Sequence, residues 1–519
     1  MKLIVTLAGP GAGKTTDLIK QIIAVMPELK ANREAAVITY TNASADDLKR
    51  KLKQEIDLPH NLFIGTIHSF LFRYYIQPFA QEKGYRTGNT VIVEKLSDDG
   101  VDWVDNWASE KITDTFKRKI FINSKKGVIR NRQIEAAAKK GIYTYDAIIK
   151  ISKTLSEDSD ISKAISNRLQ FLFVDEYQDI DKYGHNIVMS LLKRKNTEIS
   201  LVGDPDQSIY RFRYGQSQIG ELAPKDGKQP LREMIALCES NKAEKRELLV
   251  NHRSSKEIVD FANRYGTLTN QTAEKGNLCP VMMITDTSPA DIYRKFSDIG
   301  KKYDCKSYYI LAKKNKTLES YSKFTLETNI TGIKEYDLNQ IIDSFVAASG
   351  LTRREFIDAY EFSRLQLRRV AVGTRIALEK KDISYEDSAR FCKDLARDLY
   401  GKNIIFKRDT TPDEKGKNIV YGFESSDGND EIIKDYGIHC LSIHKSKGLE
   451  ADAVLVIAQN EKEFLKWLNM TKSNMKSDAD EDYRLGYVAF TRARKVLIIA
   501  CSDKVDLSNI KKTANIVAV

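Results

Sequence analysis

Short, uninterrupted apolar runs, each closed by polar turn residues, recur along this chain: Leu3–Leu7, Ala35–Thr39, Leu62–Gly65, Leu169–Val174, Ile199–Val202, Tyr308–Leu311, Ala453–Ile457 and Val496–Ala500. A strand that alternates apolar and polar residues can leave one face in water, but a continuous apolar run has to be covered on both faces. Helix-compatible stretches separate the runs, so crossover helices are available to cover a parallel sheet from either side. The pattern predicts an α/β fold built on doubly wound parallel sheets.

At 519 residues the chain is too long for one core, and a prior of about 150 residues per domain suggests three or four. Two intervals break the rhythm of the runs. Residues 71–165 are charged and helix-like, with one strand signal at Thr90–Val93. Residues 316–436 are helical at first, then rich in Gly, Asp, Lys and Ser around IIFK and IVYGF, which read as a hairpin or loop-rich connector. The expected layout is a first α/β core from 1–70 and 166–246 carrying 71–165 as an insertion. A second core from 247–315 and 437–519 carries 316–436.

A net charge of +11 suits a polyanionic partner, because Lys and Arg release counterions from phosphates. Charge alone is equally compatible with a Lys-rich protein that never meets nucleic acid. Cys238, Cys279, Cys305, Cys392, Cys440 and Cys501 are scattered, which fits free thiols in a reducing cytosol and neither a disulfide framework nor a zinc site. The opening MKLIVTLAG is too short in its apolar run for a signal peptide and meets a glycine loop at once, so it reads as a strand. No stretch approaches the roughly 18 apolar residues of a membrane span. A cytoplasmic protein without a membrane partner is expected.

That glycine loop is AGPGAGKTT, comprising Ala8, Gly9, Pro10, Gly11, Ala12, Gly13, Lys14, Thr15 and Thr16, directly after the first strand. Glycines let successive backbone N–H groups turn toward phosphate without a Cβ in the way. Lys14 is placed to reach the β- and γ-phosphates of ATP, and the Thr15 hydroxyl to bind Mg²⁺. The helix expected from about Thr16 adds its positive end. The generic motif starts with Gly where this chain has Ala8. The other half of such a site is a carboxylate at the end of a buried strand, and FLFVDEYQD supplies it. Asp175 is the candidate Mg²⁺ ligand and Glu176 the residue that orients or deprotonates the attacking water.

Further along stand VGDPDQSIYRFRYG, VNHRSS, SIHKSKGLE and YVAFTRA, preceded by ITYTNAS and GTIHSF. In this order they resemble the motifs of UvrD/PcrA/Rep-type superfamily 1 helicases, from Ala8 to Arg494; the two insertions carry none of the likeness. The resemblance implies two RecA-like cores with an ATP cleft between them and 3′-to-5′ movement on single-stranded or tailed DNA. It implies γ-phosphate contacts for Gln178 and Gln207, and arginines Arg253 and Arg492 that neutralise the transferring phosphoryl group, worth about 10³-fold or more in rate. His252 stands where the family stacks Tyr on adenine. Lys447 and Gly448 are placed by the cleft, and Glu450 on the ribose.

For DNA, the resemblance implies contacts from Thr39, Thr41, Asn42, Thr66, His68, Tyr210, Phe212, Arg213 and His444. A Thr or Asn at a strand end is also an ordinary helix cap. Phe212 replaces the usual Trp but keeps a π-face for stacking, worth about 1–3 kcal/mol per base. This chain begins one strand before the loop, with no place for the upstream Gln by which relatives read adenine, and nothing resembling a nuclease follows the last motif. Compact chains of this kind resemble the helicase component of two-gene antiphage systems such as Gabija, whose partner is an ATPase–TOPRIM nuclease. A DNA-stimulated ATPase or DNA-end sensor regulating a nuclease in trans is therefore the second expectation, beside an autonomous motor in repair or defence.

Overall fold

Strands whose residues are apolar on both faces end up in the middle of sheets, and those carrying charges end up at the edges. The computed structural model describes residues 2–88, 90–93, 103–210, 230–240, 243–267, 270–325, 338–349, 351, 353–379, 382–383, 387–406, 437–476, 481–506, 508, 510 and 516–519. Its two large sheets use twelve strands, labelled in chain order. The first sheet contains β1 (Leu3–Ala8), β2 (Glu34–Thr39), β3 (Leu62–Thr66), β4 (Leu169–Val174), β5 (Glu198–Gly203) and β6 (Glu244–Leu248). The second contains β7 (Val281–Ile284), β8 (Ser307–Ala312), β9 (Gly437–Ser442), β10 (Ala451–Ile457), β11 (Ala493–Ala500) and β12 (Ile516–Ala518).

All neighbours in both sheets run parallel. The first sheet is ordered β3-β2-β4-β5-β1-β6 and the second β9-β8-β10-β11-β7-β12. Counting strands within each sheet, the two orders are the same. The expected doubly wound α/β architecture is therefore present twice. Each expected run lies within a strand. β10, with every residue buried, and β4, nearly so, sit centrally, whereas β6 (EKREL) is an exposed edge.

The chain forms two compact units, residues 1–328 with 435–519, and residues 329–434. In the larger unit the first insertion packs onto its own sheet. Tyr143, Ile148, Ile151, Leu155, Ile161 and Ile165 share one core with Leu3, Val5, Leu172 and Leu201 of β1, β4 and β5. The amphipathic helices Tyr145–Glu157 and Ser159–Arg168 supply most of these residues. The strand expected at Thr90–Val93 is Val91–Val93, paired in parallel with Ile142–Thr144. The second sheet has a separate core around Ile292, Phe296, Ile310, Leu455 and Ile498.

The smaller unit is helical where described. Helices Leu338–Ala348, Arg353–Ala359, Arg364–Glu379 and Ser388–Tyr400 bury Phe345, Phe356, Leu367, Val370 and Cys392 together. Of the expected hairpin pieces, Ile404–Phe406 are not in a strand, and IVYGF lies outside the described residues. No helix among the described residues is long and apolar enough to cross a membrane.

Candidate active site

Parallel register fixes which residues meet at the carboxyl edge of the first sheet. Leu7 of β1 pairs with Gly203 of β5, and Val174 of β4 with Leu201 of β5. The loop after Ala8, the carboxyl of Asp175 and the turn at Asp204 therefore emerge side by side, where open α/β sheets hold their ligands. Helix Lys14–Val25 begins at Lys14 rather than at about Thr16. Its cap, Gly13, is left-handed and makes no side-chain cap bond, so no cap side chain takes up the first-turn N–H donors. Gly11 has φ +67°, and a Cβ there would stand 2.7 Å from the Arg253 Cβ. Lys14 Nζ lies back along the loop, donating to the Ala8 carbonyl at 3.3 Å.

The floor of the site is acidic. Desolvation, reinforced by the Glu176 charge and only partly offset by Lys14, lifts the Asp175 carboxyl to about 7. Desolvation would also raise Glu176, but the Lys14 and Lys447 ammoniums outweigh it and hold the group down. Glu176 has φ +48°, a strained conformation for a non-glycine residue of the kind retained at functional sites. Gln178, fully buried, donates to the Glu176 carboxylate and accepts from the Asp204 amide at 3.0 Å. Burial also raises Asp204. A carboxyl held up this way gains most from a divalent cation, so Asp175 and the Thr15 hydroxyl fit Mg²⁺. Among the described residues, no group of three or more His, Cys, Asp or Glu is disposed to hold a metal ion. Mg²⁺ tolerates that, since it commonly takes one or two protein oxygens and completes its shell with phosphates and water.

The second core closes on this floor. Arg492, 2 % exposed, donates to Gln207 Oε1 at 2.7 Å, while Gln207 donates to Asp204 at 2.6 Å. Burial, reinforced by the neighbouring Arg253, pulls the Arg492 guanidinium down to about 9. Lys447 pairs with Asp179 with both side chains almost fully buried, and also donates to the Gln207 carbonyl at 2.7 Å. Burial lifts Asp179 to about 7 even with Lys447 beside it. Asn251 donates to the Pro10 carbonyl at 2.8 Å, and the His252 amide to the Gly11 carbonyl at 2.9 Å.

Arg253 lies beside the loop, but its guanidinium is turned to Glu450 and to the Thr491 carbonyl, the latter at 3.0 Å. Glu450 also accepts two bonds from Arg494. Burial would raise Glu450, but Arg253 and Arg494 outweigh it and hold the carboxyl at about 2. The exposed His252 ring faces Glu274 at 3.0 Å and comes within 3.5 Å of a Cβ built on Gly13. Gly448 has φ +85° in the turn before Glu450.

The candidate DNA residues divide in two. Thr41 and Thr66 cap helices Asn42–Glu55 and Ile67–Leu71, accepting from the amides of Ser44 and Ser69, and Thr39 is buried with its hydroxyl on the Thr41 carbonyl. Asn42 is exposed on the first turn of its helix. Tyr210 stacks on Tyr40 with centroids 4.9 Å apart and donates to the His444 carbonyl at 3.3 Å. The Lys447 ammonium lies 4.9 Å from the Tyr210 ring centroid, so one lysine touches both the acidic floor and the aromatic pair. His68 packs on Tyr145, centroids 4.6 Å apart. Phe212 and Arg213 lie outside the described residues.

Sequence reasoning passed over Asp179, Asp204, Asp206, Asn251, Gln271, Tyr40 and Arg484. Asp179, Asp204, Asp206, Asn251 and Tyr40 stand inside the motifs named above, so position alone points to them, but their partners do not follow from it. Arg484 donates to the Ser208 carbonyl at 2.8 Å, and Asp206 accepts from the Thr267 amide and hydroxyl at 2.6 Å each. These contacts link segments far apart in the chain and left no local signal.

The chain is similar to known proteins over most of its length. Residues 1–213 match an AAA-domain family and residues 403–504 the UvrD-like helicase C-terminal domain. The chain is 24 % identical to the Gabija protein GajB of Bacillus cereus (strain VD045), over 96 % of this chain and 93 % of that one. It is 24 % identical to a probable DNA helicase II homolog of Mycoplasma pneumoniae, over 95 % and 81 % of the two chains. It is 22 % identical to the ATP-dependent DNA helicase PcrA of Staphylococcus aureus, over 96 % and 80 %. With both family matches in order along the chain and these relatives spanning nearly all of it, the comparisons support a helicase of the UvrD/PcrA type.

Proposed function

We propose that this chain hydrolyses ATP to move 3′ to 5′ along single-stranded DNA, opening tailed duplexes in repair or antiphage defence. The observation that carries the reading is the direct bonding of second-core side chains into the floor of the phosphate loop: Arg492 on Gln207, and Lys447 on Asp179. A nucleotide held there lies at the joint between two cores, so its hydrolysis changes the contact between them.

In this reading Lys14 and the uncapped N–H groups after Gly13 take the phosphates, while Thr15 and Asp175 hold Mg²⁺, which supplies charge neutralisation. Glu176, steadied by Gln178, orients water and accepts its proton. Arg253 leaves Glu450 for the terminal phosphate, which frees that carboxylate for the ribose. His252 flanks the base. With no stacking Tyr, discrimination between ATP and other nucleoside triphosphates is weaker than in longer relatives. Tyr40, Tyr210, His68 and His444 offer rings to DNA bases.

A second reading is a DNA-stimulated ATPase or DNA-end sensor that controls a nuclease of the ATPase–TOPRIM kind, with little unwinding alone. What favours it is the span of the likeness, 93 % of the Gabija protein against 80 % of PcrA. Strand displacement on 3′-tailed and 5′-tailed duplexes separates the two. Robust 3′-tail unwinding by the lone protein sinks the purely regulatory reading. Brisk DNA-stimulated ATPase without displacement sinks the autonomous motor. Lys14→Ala and Glu176→Gln should each abolish hydrolysis, and wild-type turnover in either overturns the site itself.

A further inference from the structure

The second core presses a buried carboxamide onto the first turn of the phosphate loop. Gln271 is 7 % exposed, and a Cβ on Gly9 would lie 2.7 Å from its Cδ and 2.9 Å from its Nε2. The backbone of Gln271 is clamped: its amide donates to Asn263 Oδ1 at 2.9 Å, and Asn263 Nδ2 donates back to its carbonyl at 2.7 Å. Directly after it, Thr272–Ala273 pairs in parallel with Val250–Asn251, so the segments carrying Gln271 and Asn251 run side by side.

The hydrogen-bond network fixes which way the carboxamide points. Asn251 Oδ1 accepts from the Arg253 and Ser254 amides at 2.9 and 3.0 Å, so its other end is the donor. That donor, Nδ2, reaches the Pro10 carbonyl at 2.8 Å and Gln271 Oε1 at 3.3 Å. Turning Gln271 over would set two N–H donors against each other, so the oxygen belongs on Asn251. Gln271 Nε2, as near the Gly9 position as the oxygen is, is then left buried against the loop without a hydrogen-bond partner among the described residues. Buried donors in native proteins are almost always satisfied, and one left open beside a loop of this kind calls for an acceptor that arrives with the ligand.

We propose that Gln271 binds the terminal phosphate of the nucleoside triphosphate, its Nε2 donating to a phosphate oxygen from the second-core side while the loop donates from the first. This rests on the reading of Gly9–Thr16 as the ATP site. Gln271 and Arg253 meet the loop from the same side, one against Gly9 and the other against Gly11. Arg253 is the group assigned to the terminal phosphate in that reading, and Gln271, two loop residues away at Gly9, is placed to share that phosphate, the one hydrolysis removes. When that phosphate leaves, Gln271 loses its acceptor, and one of the bonds holding the second core to the bound nucleotide goes with it.

The test compares a non-hydrolysable ATP analogue with ADP, each with Mg²⁺, on the full chain. Gln271→Glu keeps the acceptor for Asn251 but turns the donor into an anion. It should weaken the analogue by about tenfold or more, the worth of one hydrogen bond to a charged group, and leave ADP affinity unchanged. Gln271→Met, of similar length and uncharged, gives the same readout if the glutamate variant fails to fold. Equal loss for both nucleotides, or loss for neither, overturns the role of Gln271. Lys14→Ala run alongside separates the two levels: retained nucleotide binding there overturns the phosphate-loop reading itself.

Discussion

Lys447→Met should destabilise the protein in a way that depends on pH. Lys447 and Asp179 form a buried ion pair across the joint of the two cores, their side chains 7 % and 1 % exposed. Burial already lifts Asp179 from its ordinary 3.8 to about 7 with the ammonium in place. Removing the ammonium lifts it further, since losing the adjacent positive charge favours the protonated form of a buried carboxyl. The sign follows from linkage: a carboxyl raised above its unfolded value contributes stability at low pH that is lost as pH rises through the folded value. In the native chain that loss stops near pH 7, whereas in the variant it continues upward. Forcing Asp179 to stay neutral costs about 1.4 kcal/mol for each pH unit above its native pKa, so the extra destabilisation is about 2 kcal/mol at pH 8.5 and almost nothing at pH 6. The bond to the Gln207 carbonyl is lost at every pH and adds a constant. Urea unfolding at the two pH values, followed by the transition of the larger unit, reads the difference directly. Asp179→Asn/Lys447→Met should erase the pH dependence and leave the constant. Equal destabilisation of Lys447→Met at pH 6 and pH 8.5 would refute the reasoning, because the pair would then hold no buried charge.

Gly203→Ala places a Cβ 2.4 Å from Gln178 Oε1, so the carboxamide that steadies Glu176 and bonds the Asp204 amide has to move. A stability loss of roughly 1–3 kcal/mol from overpacking, with a marked fall in ATP turnover, is expected; unchanged melting and turnover would show that the contact is dispensable. Burial lowers His185 from 6.5 to about 4, where its Nδ1 shares a hydrogen bond with the Tyr177 hydroxyl at 2.6 Å. Its contribution is complete above pH 6.5 and lost as pH falls toward 4, roughly 2–3 kcal/mol after allowing for its partial exposure. His185→Gln should flatten that part of the acid limb in thermal unfolding between pH 7 and 5, and an unaltered limb would remove the assignment.

How much could be read from the chain depended on where the cause of each feature lay. β4 and β10 were legible because burial on both faces writes a continuous apolar run into contiguous residues. β6 escaped because an edge strand keeps charges, as in EKREL. β12 is a short, half-exposed edge. β7 is buried but spans only Val281–Ile284, and its two central methionines carry little strand preference. The loop and the Asp175–Glu176 pair were legible for the same reason as the central strands: each is a local motif on one strand end. The Asn251–Pro10 and Lys447–Asp179 contacts were not, since they join residues more than 200 positions apart. The capping bonds of Thr41 and Thr66 were foreseeable from either reading of those residues, because a strand-end threonine serves a helix whether or not it also meets DNA.

The repeated strand order invites a direct comparison of the two sheets at the place where the first carries its phosphate loop. The equivalent strand of the second sheet is β7, and the helix after it, Pro289–Lys302, is capped by Ser288, whose hydroxyl accepts from the Asp291 amide. One copy of the scaffold leaves its helix start open behind Gly13; the other seals it with its own serine. At this equivalent position the two cores differ in whether a side chain of their own satisfies an amide at the helix start. In the proposed reading, nucleotide belongs to the copy whose helix start is open, and the copy that caps itself is the one that responds to it.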